Sequence, residues 1–386
     1  MVEPTFVGAK AITSIDVHAE GEAGRILLGA HLLVRGATWP ERMRWCTTQL
    51  DWLRRLLLRE PRGHPSMCAV LVLPPLDPGA DVGIIILEQG GFRPMSGSNT
   101  MCAVTALLET GSLPAAEPET VVRVDTAVGS VVATARVEGG RVRWVRVRNV
   151  PSFALALDRK IVVPEYGTIA ADIAFGGQFY VQARAVDMGV TLGPDHAPEI
   201  ARAGAALLAA AREQVPVVHP ELPDVRQISL VMLHGPANSP GISGRNSVVL
   251  PAGRITLGDP SSWRGTLDRS PCGTGTSARM AALHARGELG LGDPFVHQGV
   301  LGTTFRGMLH ERTTVGGHDA VVSSIQGRAW ITGYVQHVLQ PDDPFPTGLT
   351  VGDIWSTVRD RALGRRRHGR HRPLFRTEEH HVPSHR

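Results

Sequence analysis

Cys272 is the residue best placed for chemistry in this chain of 386 residues. It stands in DRSPCGTGTSARM (268–280), directly before a run of small and apolar residues that reads as a helix. A thiol at a helix N-terminus feels the positive end of the macrodipole and unpaired backbone N–H donors, which lower its pKa from about 8.5 toward roughly 3.5–7.5. The expected species is a thiolate able to take a proton from carbon. Most free cysteines are simply small buried residues. Here Pro271 before the thiol and Gly273 and Gly275 after it allow a close backbone approach that core packing does not require.

The same pattern occurs twice. Residues 96–113, SGSNTMCAVTALLETGSL, align with residues 272–289, CGTGTSARMAALHARGEL, at a constant offset of 176. Gly97, Thr100, Ala106, Leu107, Gly111 and Leu113 match Gly273, Thr276, Ala282, Leu283, Gly287 and Leu289, and Ser98 faces Thr274. Ser96 is therefore the duplicate of Cys272. Alone it would read as a helix N-cap; as a duplicate it is a second candidate acid/base position. A hydroxyl is a poor base, so its expected part is donor or relay. Asp268, four residues before Cys272, is open to two readings, a partner for a substrate ammonium or a counter-charge for Arg269. Cys102, opposite Ala278, is expected to pack, and His284 to lie at the surface or in packing. His18, Glu20 and Glu22 lack metal-ligand spacing and read as a structural turn.

These positions need elements to hold them. Runs such as RILLGAHLLV (25–34), AVLVLP (69–74), VGIIIL (83–88), SVVATARV (130–137), VRWVRVRNV (142–150), QISLVML (227–233) and RAWITGYVQHVL (328–339) predict many short strands. Helices are expected over 41–60, with Trp45, Leu53, Leu56 and Leu57 near one face, and over 197–214. A weaker echo at an offset of 156 sets Asp16 and Gly21 of DVHAEGEAGRILL against Asp172 and Gly177 of DIAFGGQFYVQAR. Together the echoes imply two similar units, hence a two-lobed protein whose paired helix N-termini can converge on one anion.

Composition narrows the alternatives. The formal charge of +4 invites a nucleic-acid reading, but residues 365–386 carry seven Arg against two Glu, which leaves −1 on the rest. No nucleic-acid partner is expected. Residues 273–278, GTGTSA, satisfy a dinucleotide-binding pattern without the buried strand before it or the acidic residue after it that this use requires. Cys46, Cys68, Cys102 and Cys272 lie far apart, with no disulfide framework or zinc spacing, so no metal is expected and a reducing compartment fits. No signal peptide or membrane-length apolar run is evident, and a cytoplasmic location is expected.

The segments PMSGSNTMC (94–102) and DRSPCGTGTSARMAALHARGEL (268–289) resemble the proline racemase family, supported by DVHAEGEAGRI (16–26), EPRGHPSM (60–67), DIAFGGQFY (172–180) and GRAWITG (327–333). The resemblance spans roughly residues 10–350. It implies an α/β (α+β) fold of the diaminopimelate epimerase type, with two pseudo-symmetric lobes, each a strongly curved sheet around a central helix. The expected division is a first lobe over 8–165 with a return segment at 340–360, a second lobe over 166–339, and a disordered Arg/His-rich tail over 361–386.

The resemblance also implies no cofactor and a site in the cleft. Ser96 and Cys272 would flank the α-carbon of a proline or hydroxyproline; Gly97, Ser98, Gly273 and Thr274 would bind its carboxylate, and Asp268 its ring ammonium. Self-association into a homodimer is left open. The family's racemases carry Cys-Gly-His where this chain has Ser96-Gly97-Ser98, which weakens a symmetric two-thiol racemase. In trans-3-hydroxy-L-proline the α-hydrogen and hydroxyl share a ring face, so one residue could serve both. The leading expectation is therefore a trans-3-hydroxy-L-proline dehydratase, ahead of a 4-hydroxyproline 2-epimerase and of a non-catalytic cyclic amino acid binding protein.

Overall fold

The computed structural model describes residues 10–355 except 252 and 353. The expected tail over 361–386 and the last residues of the return segment lie outside the described residues.

The first unit runs β1 (Lys10–Ala19), β2 (Glu22–Leu27), α1 (Trp39–Gln49), α2 (Asp51–Leu58), β3 (Ala69–Leu73), β4 (Val82–Glu88), β5 (Gly91–Arg93), α3 (Gly97–Glu109), β6 (Glu119–Asp125), β7 (Val131–Glu138) and β8 (Arg141–Arg148). The second runs β9 (Ser152–Val163), β10 (Gly167–Phe175), β11 (Phe179–Arg184), α4 (Ala197–Gln214), β12 (Ile228–Gly235), β13 (Gly244–Pro251), β14 (Gly265–Leu267), α5 (Gly273–Ala285), β15 (Pro294–Gln298), β16 (Thr304–Val315) and β17 (His318–Gly327). β18 (Ala329–Leu339) closes the chain's main body.

Strand pairing carries the duplication further than the sequence echo does. The parallel pairs β2–β3 and β4–β6 recur as β11–β12 and β13–β15. The antiparallel pairs β3–β4 and β4–β5 recur as β12–β13 and β13–β14. β18 pairs with β1 as β9 pairs with β10, so pairing puts 329–339 with the first unit and 152–163 with the second. This differs from a division at 165 and 339. Sequence order conceals it because each final strand crosses to the other half of the chain. β17 bonds both β8 and β9 and joins the halves into one continuous sheet.

Each unit wraps its strands around one helix. α3 packs on β1, β2, β7, β8 and β18, and α5 on β9, β10, β16 and β17. α3 is buried on every face from Gly97 to Leu108, which its Ala, Val, Thr and Leu residues permit. β7 and β8 show the alternation of half-buried strands, whereas VGIIILE in β4 is buried throughout because Ile84 and Ile86 join the core that holds α3 and Ile85 and Leu87 join the one that holds α2.

The helix expected over 41–60 is broken at Leu50 into α1 and α2. A capping box of Thr38 and Glu41 starts α1, and Asp51 opens α2 with ion pairs to Arg54 and Arg55. Leu53, Leu56 and Leu57 face the core; Trp45 is half-buried and donates to the Leu33 carbonyl at 2.9 Å. After β18 the chain returns to the end of α2, where Leu349 bridges Glu60 and Arg62 pairs with Asp343 at 2.8 Å.

The echo between Asp16 and Asp172 slips by one position. Asp16 pairs with Arg25, whose guanidinium donates to the Leu57 carbonyl on α2. Asp172 instead pairs with Arg279 and Arg286 at the far end of α5 and its C-cap. They are not counterparts.

Candidate active site

The two central helices meet end to end. A Cβ built on Gly97 would lie 2.8 Å from the Gly273 Cα, and one built on Gly273 would lie 2.6 Å from the Gly97 Cα. Only glycine permits this approach. Ser96 and Cys272, the N-caps of α3 and α5, line one pocket beside the junction, together with Ser98, Thr274 and Asp268. Gly97 and Gly273 form the junction itself.

The duplicates differ in local structure. Ser96 has extended backbone, φ −151°, and its hydroxyl oxygen accepts from the Asn99 backbone N–H at 3.4 Å and from Asn99 Nδ2 at 3.1 Å. Cys272 has φ 61° and ψ 110°, a conformation that costs a non-glycine residue about 1–3 kcal/mol and is found where a site holds a side chain in place. Its backbone N–H donates to Ser270 Oγ at 3.1 Å, and its Sγ lies 3.3 Å from the Tyr180 hydroxyl. The Tyr180 hydroxyl is also 2.6 Å from Thr274 Oγ1.

The thiol does not follow the helix-terminus expectation. Cys272 is 4% exposed, and burial, followed by the negative charge of Asp268, pushes its pKa well above the usual thiol value. Hydrogen bonds from Tyr180 and the Gly275 N–H pull the other way and are outweighed. Desolvation of a thiolate exceeds what a helix end returns when the sulfur is enclosed.

Asp268 is buried, and its Oδ1 accepts from the Ser270 N–H and hydroxyl, each at 2.8 Å. Among the described residues no salt bridge reaches it. Arg269 turns its guanidinium to the Leu267 carbonyl and gives its backbone N–H to Glu22 at 2.7 Å. This disfavours the counter-charge reading. Glu22 is not the mere turn residue its sequence context suggested. It is 3% exposed, accepts from the Cys68 thiol at 3.3 Å, and burial plus the neighbouring Asp268 hold its carboxyl well above the ordinary range. The Asp268 carboxyl is likewise raised by burial.

Glu88, Cys68, Asn99, Gln178, Tyr180, Leu230 and Leu250 complete the pocket, and sequence reasoning singled out none of them. A signal for Glu22 and Gln178 exists in the sequence. At the offset of 156, Glu22 matches Gln178, and each reaches across to the other unit. Glu22 takes the Arg269 N–H just before α5, and Gln178 Nε2 donates to the Met95 carbonyl just before α3 at 3.0 Å. Cys102 is buried among core residues and His284 bonds the Leu289 carbonyl at 2.7 Å, as the packing readings expected. No group of three or more His, Cys, Asp or Glu suited to a metal ion occurs among the described residues. None of their helices is long and apolar enough to cross a membrane.

The pocket thus has an acidic end at Glu22, Glu88 and Asp268, an apolar wall at Leu230 and Leu250, and two helix N-termini bearing a hydroxyl and a thiol. Such a lining offers carboxylates to a cation, helix-end N–H donors to an anion, and two groups able to exchange protons.

A family model described as proline racemase matches residues 14–350. The 4-hydroxyproline 2-epimerase of Streptosporangium roseum is 42% identical over 336 residues, covering 87% of this chain and 97% of that protein. The proline racemase of Clostridioides difficile is 36% identical, covering 88% and 98%. The crystal structure of a hydroxyproline epimerase from Agrobacterium vitis, with bound trans-4-hydroxy-L-proline, superposes with a TM-score of 0.82 at 36% identity, covering 90% of this chain and 97% of that one. Match to the family model over most of the chain, together with these relatives, shows that this chain belongs to the proline racemase family of enzymes.

Proposed function

We propose that the protein is a 4-hydroxyproline 2-epimerase. The observation that carries this reading is that Ser96 and Cys272, at the N-termini of two opposed helices, line the same pocket. Inversion at an α-carbon needs one group to remove a proton from one face and another to supply a proton on the other. An elimination across a single face needs only one. The names of the relatives support the same ranking, so the dehydratase moves to second place.

The substrate carboxylate lies against the backbone N–H groups of Gly97, Ser98, Gly273 and Thr274, where two helix ends favour negative charge. Its ring ammonium meets Asp268 and Glu22, and the methylene groups lie on Leu230 and Leu250. The thiolate of Cys272 takes the α-proton. The electron pair moves into the carboxylate, where the helix-end donors stabilise the growing charge; this is the largest contribution to rate. Ser96 gives its hydroxyl proton to the opposite face. Asp268 raises the thiol pKa in the free site, and an ammonium beside Asp268 cancels that influence. Substrate binding thereby favours the thiolate that the reaction needs.

Incubation in deuterated water with cis- and trans-4-hydroxyproline and with trans-3-hydroxy-L-proline tests the reading. α-Deuterated epimer from the 4-hydroxy substrates is expected. Loss of water from the 3-hydroxy substrate without inversion of the others would establish the dehydratase instead, and absence of any exchange would leave a binding protein.

A further inference from the structure

We infer that Asn99 is a positioning residue that makes Ser96 the proton donor of the pair, an assignment that rests on the epimerase reading. A serine hydroxyl has one O–H and two acceptor lone pairs. At Ser96 both acceptor places are filled by Asn99, through its backbone N–H at 3.4 Å and its side-chain Nδ2 at 3.1 Å. What is left is the O–H. It has Ser98 Oγ at 3.3 Å as its partner within the protein, and the substrate's α-carbon when one is bound.

The placement of the amide supports this. Asn99 is 2% exposed, so water does not compete for its N–H groups. Its Oδ1 has no hydrogen-bond partner and lies against Gly24 of β2, where a Cβ would come within 2.9 Å of it. The amide is thus confined with its donor edge on Ser96.

The second unit solves the same problem from a different direction. Three residues beyond the turn glycine Gly177 stands Tyr180, whose hydroxyl bonds Cys272. Three residues beyond the matching Gly21 stands Gly24, which has no side chain to offer. The vacant volume is where the Asn99 amide fits. Each acid/base position therefore has its own hydrogen-bonding neighbour, a strand tyrosine for the thiol and a helix asparagine for the hydroxyl.

The proton balance follows. When Cys272 has taken the α-proton, the Ser96 O–H bond breaks, the proton joins the opposite face of the α-carbon, and Ser96 is left as an alkoxide. Two Asn99 N–H groups and the α3 terminus receive that charge. In the reverse direction the alkoxide removes the proton. Without the Asn99 side chain the alkoxide loses its nearer donor, Nδ2 at 3.1 Å, and keeps only the backbone N–H at 3.4 Å.

Two measurements test this in the full chain. In the first, Ser96→Cys introduces a thiol whose alkylation is followed against pH by peptide mapping, with Asn99 present and with Asn99→Ala. The midpoint is expected to rise by about one pH unit or more when the amide is removed, since hydrogen bonds to a thiolate favour it. An unchanged midpoint overturns the assignment. In the second, Asn99→Ala alone is expected to lower kcat for epimerisation about 100-fold or more with KM changed by less than about threefold, the usual cost of one lost donor to a developing oxyanion. A kcat within about threefold of the parent, on that same scale, overturns it. If the parent enzyme inverts neither 4-hydroxyproline, the epimerase reading fails, and the alkylation midpoint still decides whether Asn99 donates to position 96.

Discussion

Gly97 and Gly273 face each other backbone to backbone, and the Cδ1 of Ile325 fills the space beside both. A Cβ at either glycine would meet that methyl group at about 2.5–2.6 Å as well as the opposite Cα. This contact fixes the distance between the two helix ends and thereby the width of the junction where the proposed function puts the substrate carboxylate.

Gly97→Ala and Gly273→Ala should each force the helix ends apart, costing about 1–3 kcal/mol of stability, the usual range for overpacking. Thermal unfolding should show a lower Tm, and KM should rise more than any loss of stability explains. Adding Ile325→Val relieves the side-chain overlap but not the backbone one. If that double variant recovered parental KM, the backbone contact would not be what sets the junction.

Burial and Asp268 raise the Cys272 thiol, while Tyr180 lowers it. Alkylation of Cys272 in the free enzyme should therefore be slow at pH 7 and accelerate only on the alkaline side. Tyr180→Phe removes a donor, so the alkylation profile and the rising limb of kcat/KM should both shift to higher pH, with roughly 10- to 100-fold lower activity at pH 7. An unshifted profile would show that the hydroxyl does not act on the sulfur.

Glu22 holds its proton more tightly folded than unfolded. The stability from this is fully present below the unfolded value of 4.5 and is lost as pH rises through the folded value, because a buried carboxylate then has to ionise. Glu22→Gln should melt about 2–5 °C above the parent at pH 8, and the gap should close toward pH 4. The same variant should raise KM roughly 10- to 100-fold, the value of one hydrogen bond to a charged group. A variant less stable than the parent at pH 8 would refute the sign.

His297 is 1% exposed, bonds Thr276 Oγ1 at 2.9 Å, and burial pushes its pKa down from 6.5 to about 3. Its contribution has the opposite sign. Stability is complete above the unfolded value of 6.5 and falls as pH drops toward 3, because only the unfolded chain takes the proton. His297→Gln should make the dependence of unfolding free energy on pH shallower between 6 and 4 by up to about one proton. Parallel curves for variant and parent would exclude the effect.

Several elements were legible in advance. The helix over 197–214 is found at those residues, and the matched segments at 96 and 272 give helices of equal length, Gly97–Glu109 and Gly273–Ala285. Apolar runs announced β3, β4 and β12. No such run marks β9 and β16, because DRK in β9 and HER in β16 occupy exposed positions and break up the apolar pattern.

The sequence by itself determined the duplication, the two helix N-termini, and Ser96 and Cys272 as candidates, since these are recorded in contiguous residues at a fixed offset, and it offered Asp268 through its place four residues before Cys272. Tertiary structure decided what surrounds them. Glu22, Cys68 and Glu88 come from strands and a loop of the first unit, Gln178 and Tyr180 from a turn and strand of the second, and the two sets meet only when the units close on each other. The Cys272 thiol shows why this matters. A helix N-terminus is a local property and lowers a pKa; burial belongs to the whole fold and raises it further than the helix end can offset.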